Sequence, residues 1–233
     1  NSIEYYKKFI DEDPYSEYAW FNLGNIYMKL DQFENAVEAF EFSIAIDEEY
    51  SSAYINISEA LIKLEKFDQA KKYLERSLSL DGPSPEIYSC LGNVNFYLED
   101  YSTSISFYQK SIKIDQMFKE SYFGLGRSLS KLDKWFEAIH FFKKAYKIDN
   151  KNIEYVKSLA YAEFKVGNLV SSIDLYSKAV EMQPDDYKLS LDFSLIYYES
   201  GDIDKAIDII DQAIEESPGC LLYTSDAADD DRG

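Results

Sequence analysis

Apolar side chains recur along most of the chain at intervals of three and four residues, the spacing of one face of an α-helix. Each stripe is short and is followed by a break rich in Asp, Asn, Gly or Pro. All five prolines fall in such breaks, where a residue without a backbone N–H does not interrupt a helix. The pattern therefore predicts a succession of short amphipathic helices joined by turns.

The pattern itself repeats every 34 residues. The string AWFNLGNIY at 19–27 returns in weaker form at 53–61, 87–95, 121–129, 155–163 and 189–197. We therefore place six full repeats without insertions at 17–50, 51–84, 85–118, 119–152, 153–186 and 187–220, after a half repeat at 1–16. Positions in the text below are counted from the first residue of each full repeat.

Three positions of the repeat always hold a small residue. Positions 8, 20 and 27 are Gly, Ala or Ser in all six repeats, and small side chains allow two helices to approach closely. Apolar positions 4, 7, 8 and 11 fall on one stripe of a first helix, and 20, 24, 27 and 28 on one stripe of a second. One such pair cannot bury both stripes, so we expect stacked pairs with a continuous core.

The unit resembles the tetratricopeptide repeat, a helix-turn-helix of 34 residues with the signature W-x2-L-G-x2-Y followed by A-x3-F. The first full repeat carries the signature at Trp20, Leu23, Gly24, Tyr27, Ala36 and Phe40. The resemblance covers residues 1–220 and implies an all-α fold, a right-handed superhelical solenoid of antiparallel helix pairs. It also implies that a concave face, lined by the first helix of each repeat, binds peptides or partner domains.

In this register, positions 2, 5, 6, 9, 12 and 13 of the first helices face away from the core stripe. They carry aromatic rings and a few amides, and they form a candidate peptide-binding groove at Tyr18, Phe21, Asn22, Asn25, Ile55, Asn56, Glu59, Asn93, Phe96, Phe123, Arg127 and Tyr161. Asn25 and Asn56 would hydrogen-bond the backbone of an extended peptide while the rings take its apolar side chains. Alternatively, the rings pack only on neighbouring first helices, and the pattern does not separate the two interpretations.

The family's best-understood binding mode is a clamp of Lys, Asn and Arg side chains around a C-terminal carboxylate. In the first three repeats its slots hold Phe21, Asn25, Asn56, Glu86 and Cys90. Both asparagines match, but the cationic slots are filled by other residues, and one of these is acidic. Carboxylate-clamp binding of chaperone tails is therefore not expected.

Charge and chemistry narrow the function further. With 43 acidic and 24 basic residues the formal net charge is −19, whereas nucleic-acid binding needs clustered Lys and Arg. No apolar run approaches the roughly 18 residues of a membrane helix. Cys90 and Cys220 are far apart and His140 is the single histidine, which is too little for a zinc site. We expect no enzyme activity, no metal, no cofactor and no nucleic acid, but a protein or peptide partner of unknown identity.

The two ends of the chain differ from the repeats. The half repeat at 1–16 indicates that the protein starts upstream, which leaves a signal peptide open, although a cytoplasmic location is favoured. The segment CLLYTSDAAD at 220–229 has no helical periodicity and resembles the translated sequence of an adapter used for DNA sequencing libraries. We interpret 221–233 as a disordered, non-native tail on a sequence fragment; the alternative is a short disordered acidic terminus.

These observations predict a non-catalytic scaffold that binds a peptide or partner domain on its concave face. The alternative is a regulatory or docking segment of a longer protein whose enzymatic or membrane part is missing. The full reading frame would separate the two.

Overall fold

The fold is described by a computed structural model, which covers residues 2–216. Within that range the chain forms thirteen helices and no strand, which confirms the predicted all-α fold and helix number. The helices are α1 (Ser2–Glu12), α2 (Glu17–Lys29), α3 (Phe33–Ile46), α4 (Ser51–Lys63), α5 (Phe67–Asp81), α6 (Pro85–Tyr97), α7 (Tyr101–Ile114), α8 (Lys119–Lys131), α9 (Trp135–Ile148), α10 (Ile153–Lys165), α11 (Leu169–Met182), α12 (Tyr187–Ser200) and α13 (Ile203–Glu216). The predicted non-native tail, 221–233, lies outside the described residues.

The helices follow the 34-residue period. The first helices α2, α4, α6, α8, α10 and α12 begin at residues 17, 51, 85, 119, 153 and 187, and the second helices from α3 to α13 begin at residues 33 to 203 at the same spacing. Helix α1 corresponds to the second helix of the half repeat.

Every first helix is followed by a residue in the left-handed conformation at position 15. Four of these residues are not glycine, for example Asp31 with a φ of 54°, and the other two are Gly167 and Gly201. In five of the six turns the next residue then donates its backbone N–H to the carbonyl of position 11, as Gln32 does to Tyr27 at 2.9 Å. This arrangement satisfies a carbonyl that the end of the helix would leave free.

The aspartate that recurs after the second helices shapes the turn into the next repeat. The carboxylates of Asp13, Asp47, Asp115 and Asp149 each accept the backbone N–H of the residue two positions on, at N–O distances of 2.8–3.3 Å. A short acidic side chain can mimic a backbone turn in this way, which explains why the sequence repeats Asp here.

The described residues divide into two compact units, 2–132 and 133–216. In unit 1, α2 packs on α3, α4 on α5 and α6 on α7, and consecutive pairs stack on one another. A buried apolar cluster runs through unit 1 from Ile10 to Val94. In unit 2, α10 packs on α11 and α12 on α13, around a cluster from Val156 to Ile196.

The small-residue columns are buried within the helix pairs. Of their eighteen members, seventeen are buried, and Ala213 in α13 is half-buried. The serines among them also bond: Ser43 Oγ donates to the Glu17 carbonyl at 3.0 Å, and Ser111 Oγ donates to the Pro85 carbonyl at 2.8 Å. Each bond ties the end of a second helix to the start of its first helix, so the two helices run antiparallel.

The predicted core stripe of the first helices is too narrow. Positions 3 and 10 are buried as well, with Ala53, Ala60, Ile87 and Val94 at most 1% exposed. The reason is that a first helix contacts its own second helix and also the first helices of neighbouring repeats, as α6 does with α4 and α8. Two sides of each first helix are therefore covered.

Two residues do not have the burial that their position in the repeat predicts. Phe96, assigned to the outward face at position 12, is only 8% exposed because it lies beneath another side chain of that face. In the half repeat, Phe9 occupies the slot of the small, buried position 27 but is 43% exposed, and its neighbour Ile10 is the buried residue.

Polar residues in the core slot of position 11 have local partners. Glu163 is 1% exposed; its Oε1 lies 2.6 Å from Lys143 Nζ, and its Oε2 accepts a hydrogen bond from Asn168 Nδ2 at 2.7 Å. Asn95 Nδ2 donates to the Leu91 carbonyl at 2.7 Å. These bonds offset the cost of burying polar groups.

Candidate functional site

Eleven of the twelve predicted groove residues belong to unit 1, and Tyr161 lies on α10 in unit 2. The four first helices of unit 1 are neighbours in order, with α2 contacting α4, α4 contacting α6 and α6 contacting α8. We call the surface formed by positions 2, 5, 6, 9, 12 and 13 of α2, α4, α6 and α8 the first-helix face.

At the α2 end of this face lies a polar cleft. It has a volume of about 460 Å³, and its lining includes Asn22, Asn25, Asn56 and Glu59. Asn56 Nδ2 donates to Asn25 Oδ1 at 2.7 Å. An amide side chain carries two N–H groups and one carbonyl, so this bond leaves both N–H groups of Asn25 and the carbonyl oxygen of Asn56 for other partners.

Asn25 occupies position 9 of its repeat, and Asn56 occupies position 6 of the next one. The same pair of positions is in contact one repeat later, at Glu59 and Cys90. The Cys90 thiol donates to Glu59 Oε1, with an Sγ–O distance of 3.7 Å. Surrounding protein atoms desolvate the carboxyl group and raise the pKa of Glu59, although the bond from Cys90 and the charge of Lys63 oppose this. Burial, followed by the nearby Glu59 charge, raises the pKa of Cys90 well above its ordinary value. The thiol is therefore a protonated donor and not a nucleophile.

Between α6 and α8, position 6 is Gly124, which has no side chain to contact position 9, Asn93. The core side chain of Tyr108 contacts Asn93 instead. The Tyr108 hydroxyl donates to Asn93 Oδ1 at 2.7 Å. The Tyr108 ring is fully buried and lies against the backbones of Gly92 and Gly124, where an added Cβ would overlap it. Burial raises the pKa of Tyr108, so the hydroxyl keeps its proton and Asn93 Nδ2 remains a donor.

Arg127 occupies position 9 of α8 and lies over aromatic rings. Its guanidinium carbon is 4.1 Å from the centroid of the Phe96 ring, 5.8 Å from that of Tyr97 and 5.9 Å from that of Phe123. This stacking explains the burial of Phe96, and it holds the cation at a defined place on the first-helix face.

Other predicted ring positions also pack on neighbours. The Phe21 ring lies 4.9 Å from the Tyr50 ring and 5.6 Å from the Phe40 ring, centroid to centroid. Tyr18 is 61% exposed, whereas Ile55 and Phe123 are half-buried. In unit 2, Tyr161 is exposed beside Trp135, with ring centroids 5.7 Å apart.

The part of the chain that the structure describes contains neither a candidate metal-binding cluster nor a candidate membrane-spanning helix. Between residues 2 and 216, no three His, Cys, Asp or Glu side chains are grouped so as to hold a metal ion. None of the thirteen helices is both long enough and apolar enough to cross a membrane.

Comparison with known proteins places these features in context. Models of the tetratricopeptide repeat match residues 17–50, 51–83, 119–152 and 163–225. No curated protein is significantly similar in sequence.

Solved structures share the fold at low sequence identity. A chain in the crystal structure of the APC/C hetero-tetramer Cut9–Hcn1 aligns with a TM-score of 0.82 and 18% identity, over 97% of this chain and 45% of that one. PilF of Pseudomonas aeruginosa aligns with a TM-score of 0.74 and 16% identity, over 91% and 97% of the two chains. YrrB, a "TPR protein with an unusual peptide-binding site", aligns with a TM-score of 0.53 and 20% identity, over 79% and 94%.

The chain thus spans less than half the length of the Cut9–Hcn1 chain that it matches, and at these identities the likeness concerns the fold alone. This fold supports a protein-interaction scaffold. The family models, which together match more than half of the residues, and the helix pairs spaced by 34 residues show that the chain belongs to the tetratricopeptide-repeat family.

Proposed function

We propose that the first-helix face of unit 1 binds an extended peptide segment of a partner protein, without catalysis. The observation that carries this proposal is the bonded pair of Asn25 and Asn56 at the polar cleft. The pair offers N–H donors on Asn25 and a carbonyl acceptor on Asn56. A peptide group presents the complementary acceptor and donor, so the pair matches the backbone of an extended chain whatever its sequence.

Side-chain contacts of such a peptide would fall on the apolar groups that remain accessible. Phe21 and Phe96 have packing partners within the repeat stack, so they would support the surface more than contact the ligand. Tyr18 and Tyr97 are exposed, and Phe123 is half-buried on the same face. Exposed rings beside amides are typical of surfaces that recognise proteins.

Selection from a degenerate library of short peptides on the immobilised 233-residue chain tests the proposal. Peptides that bind the wild-type chain should bind Asn25→Ala/Asn56→Ala about thirtyfold more weakly, because one hydrogen bond to each asparagine is lost and each contributes about 1 kcal/mol. Phe123→Ala should also weaken binding. Asn35→Ala, Glu38→Ala and Lys72→Ala change exposed residues of the second helices and should leave binding unchanged; Asn35→Ala matches the lost amide.

The proposal fails if no peptide is enriched on the wild-type chain. It also fails if the second-helix variants abolish binding while the double asparagine variant and Phe123→Ala are silent, because the outer surface would then be the binding face. Melting temperatures of all variants identify any that lose binding by unfolding.

A further inference from the structure

The strongest further feature of the first-helix face is a cation without a counter-ion. Within unit 1, Arg127 makes no hydrogen bond or ion pair through its guanidinium with residues 2–132; its contacts there are the rings of Phe96, Tyr97 and Phe123. A guanidinium carries five N–H donors in a planar fork. Stacking on rings satisfies its face but not these donors, which lie in the plane of the group.

The charges along α8 add to this feature. Lys131 follows Arg127 by one helical turn and is exposed. The acidic residue of the same face of α8, Glu120, lies two turns before Arg127, or about 10 Å along the helix axis. At physiological salt, charges beyond about 8 Å are largely screened. On this face of α8, Arg127 and Lys131 are therefore not neutralised by Glu120.

From these observations we infer that Arg127 is a recognition site for a carboxylate of the bound peptide. This inference rests on the proposed function. Arginine and carboxylate form two parallel charge-assisted hydrogen bonds, stronger than neutral ones. Because the rings already order the Arg127 side chain, less rotamer freedom is lost when the ligand binds. The free N–H groups of Asn93 Nδ2, at position 9 of the preceding repeat, add donors to the same row.

The carboxylate could belong to an Asp or Glu side chain or to the C-terminus of the peptide. Two degenerate libraries, one with free and one with amidated C-termini, separate these sources when selected on the 233-residue chain. Enrichment of Asp or Glu at one position in both libraries assigns an acidic side chain. Binding by the free-terminus library alone assigns the terminal carboxylate.

Three variants make the test specific to the guanidinium. Arg127→Gln should weaken the selected acidic peptides about ten- to hundredfold, the effect of losing hydrogen bonds to a charged group. Arg127→Lys keeps the charge but loses the fork, so it should fall between the wild-type chain and Arg127→Gln. Lys113→Gln removes the same charge from an exposed position of the second helix α7, off the first-helix face, and should leave affinity unchanged. Melting temperatures show whether each variant remains folded.

The inference is overturned if the selected peptides show no acidic preference, or if the preference is unchanged in folded Arg127→Gln or equally lost in Lys113→Gln. In these cases peptide binding that depends on Asn25 and Asn56 would still stand, so the two proposals can fail separately. If no peptide is selected at all, the proposed function fails, and this inference fails with it.

Discussion

The contact between Tyr108 and the glycines around it gives a sharp prediction about stability. An ideal Cβ at Gly124 would overlap Tyr108 Cζ, Cε1 and Oη, and one at Gly92 would lie 2.6 Å from Tyr108 Cε1. The ring has little room to move, because it is fully buried and its hydroxyl is bonded to Asn93. Gly124→Ala should therefore overpack the core.

Two opposing terms set the size of the effect. Overpacking typically costs about 1–3 kcal/mol, and the overlap with three ring atoms places Gly124→Ala near the upper end. Replacing glycine with alanine inside a helix stabilises it by about 1 kcal/mol. The net loss in unfolding free energy should be about 1–2 kcal/mol, or a few degrees in melting temperature.

In a chain that already carries Tyr108→Leu, the effect of Gly124→Ala on the unfolding free energy should change sign. Tyr108→Leu removes the ring from the space that the new methyl group needs, and leucine already fills the equivalent position 24 as Leu74 in the repeat before. In that background Gly124→Ala should stabilise the protein by about 1 kcal/mol through helix propensity alone. The coupling between the two sites is then about 2–3 kcal/mol.

Urea unfolding followed by far-UV circular dichroism measures the unfolding free energy of the four proteins of this double-mutant cycle. They are the wild-type chain, Gly124→Ala, Tyr108→Leu and the double variant. Repeat arrays can unfold in stages, so the slope of the transition is compared as well as its midpoint. If Gly124→Ala stabilises the wild-type background, or has the same effect in both backgrounds, the steric argument is wrong.

Three further predictions concern other contacts. Ala138 is fully buried in a small-residue column, so Ala138→Leu should lower the unfolding free energy by about 1–3 kcal/mol; a neutral result in urea unfolding would mean that the register is wrong. Lys143→Met removes the half-exposed cation beside buried Glu163 and should cost about 1–3 kcal/mol, whereas Lys143→Met/Glu163→Leu should recover most of this loss; failure to recover would show that the carboxylate is needed for more than pairing. Desolvation raises the pKa of Glu59, so the folded state favours its protonated form, and this contribution to stability is lost as pH rises through the folded-state pKa. Compared with the wild-type chain, Glu59→Gln should gain urea resistance as the pH rises above the ordinary pKa of a glutamate, and a pH-independent difference would contradict this.

Much of the fold is readable from the sequence because each repeat encodes it locally. Helix periodicity, small residues at positions 8, 20 and 27, and the recurring turn aspartate depend on spacings within one 34-residue unit. Six copies show the same pattern, so chance matches are filtered out. The left-handed turn residue at position 15 is the exception, because four of the six are Asp or Glu, which the sequence does not distinguish from ordinary surface residues.

The candidate site was only partly predictable. The sequence by itself placed Asn25, Asn56 and Arg127 on one face, since a helical register fixes which side of a helix a residue occupies. Only the tertiary structure decided what these side chains touch: Asn56 bonds Asn25 across 31 positions of sequence, and Arg127 covers Phe96 on the preceding first helix. Such contacts depend on the volumes that meet between repeats. The glycine at position 124, for instance, lets the Tyr108 hydroxyl reach Asn93, and no pattern within a single repeat contains that information.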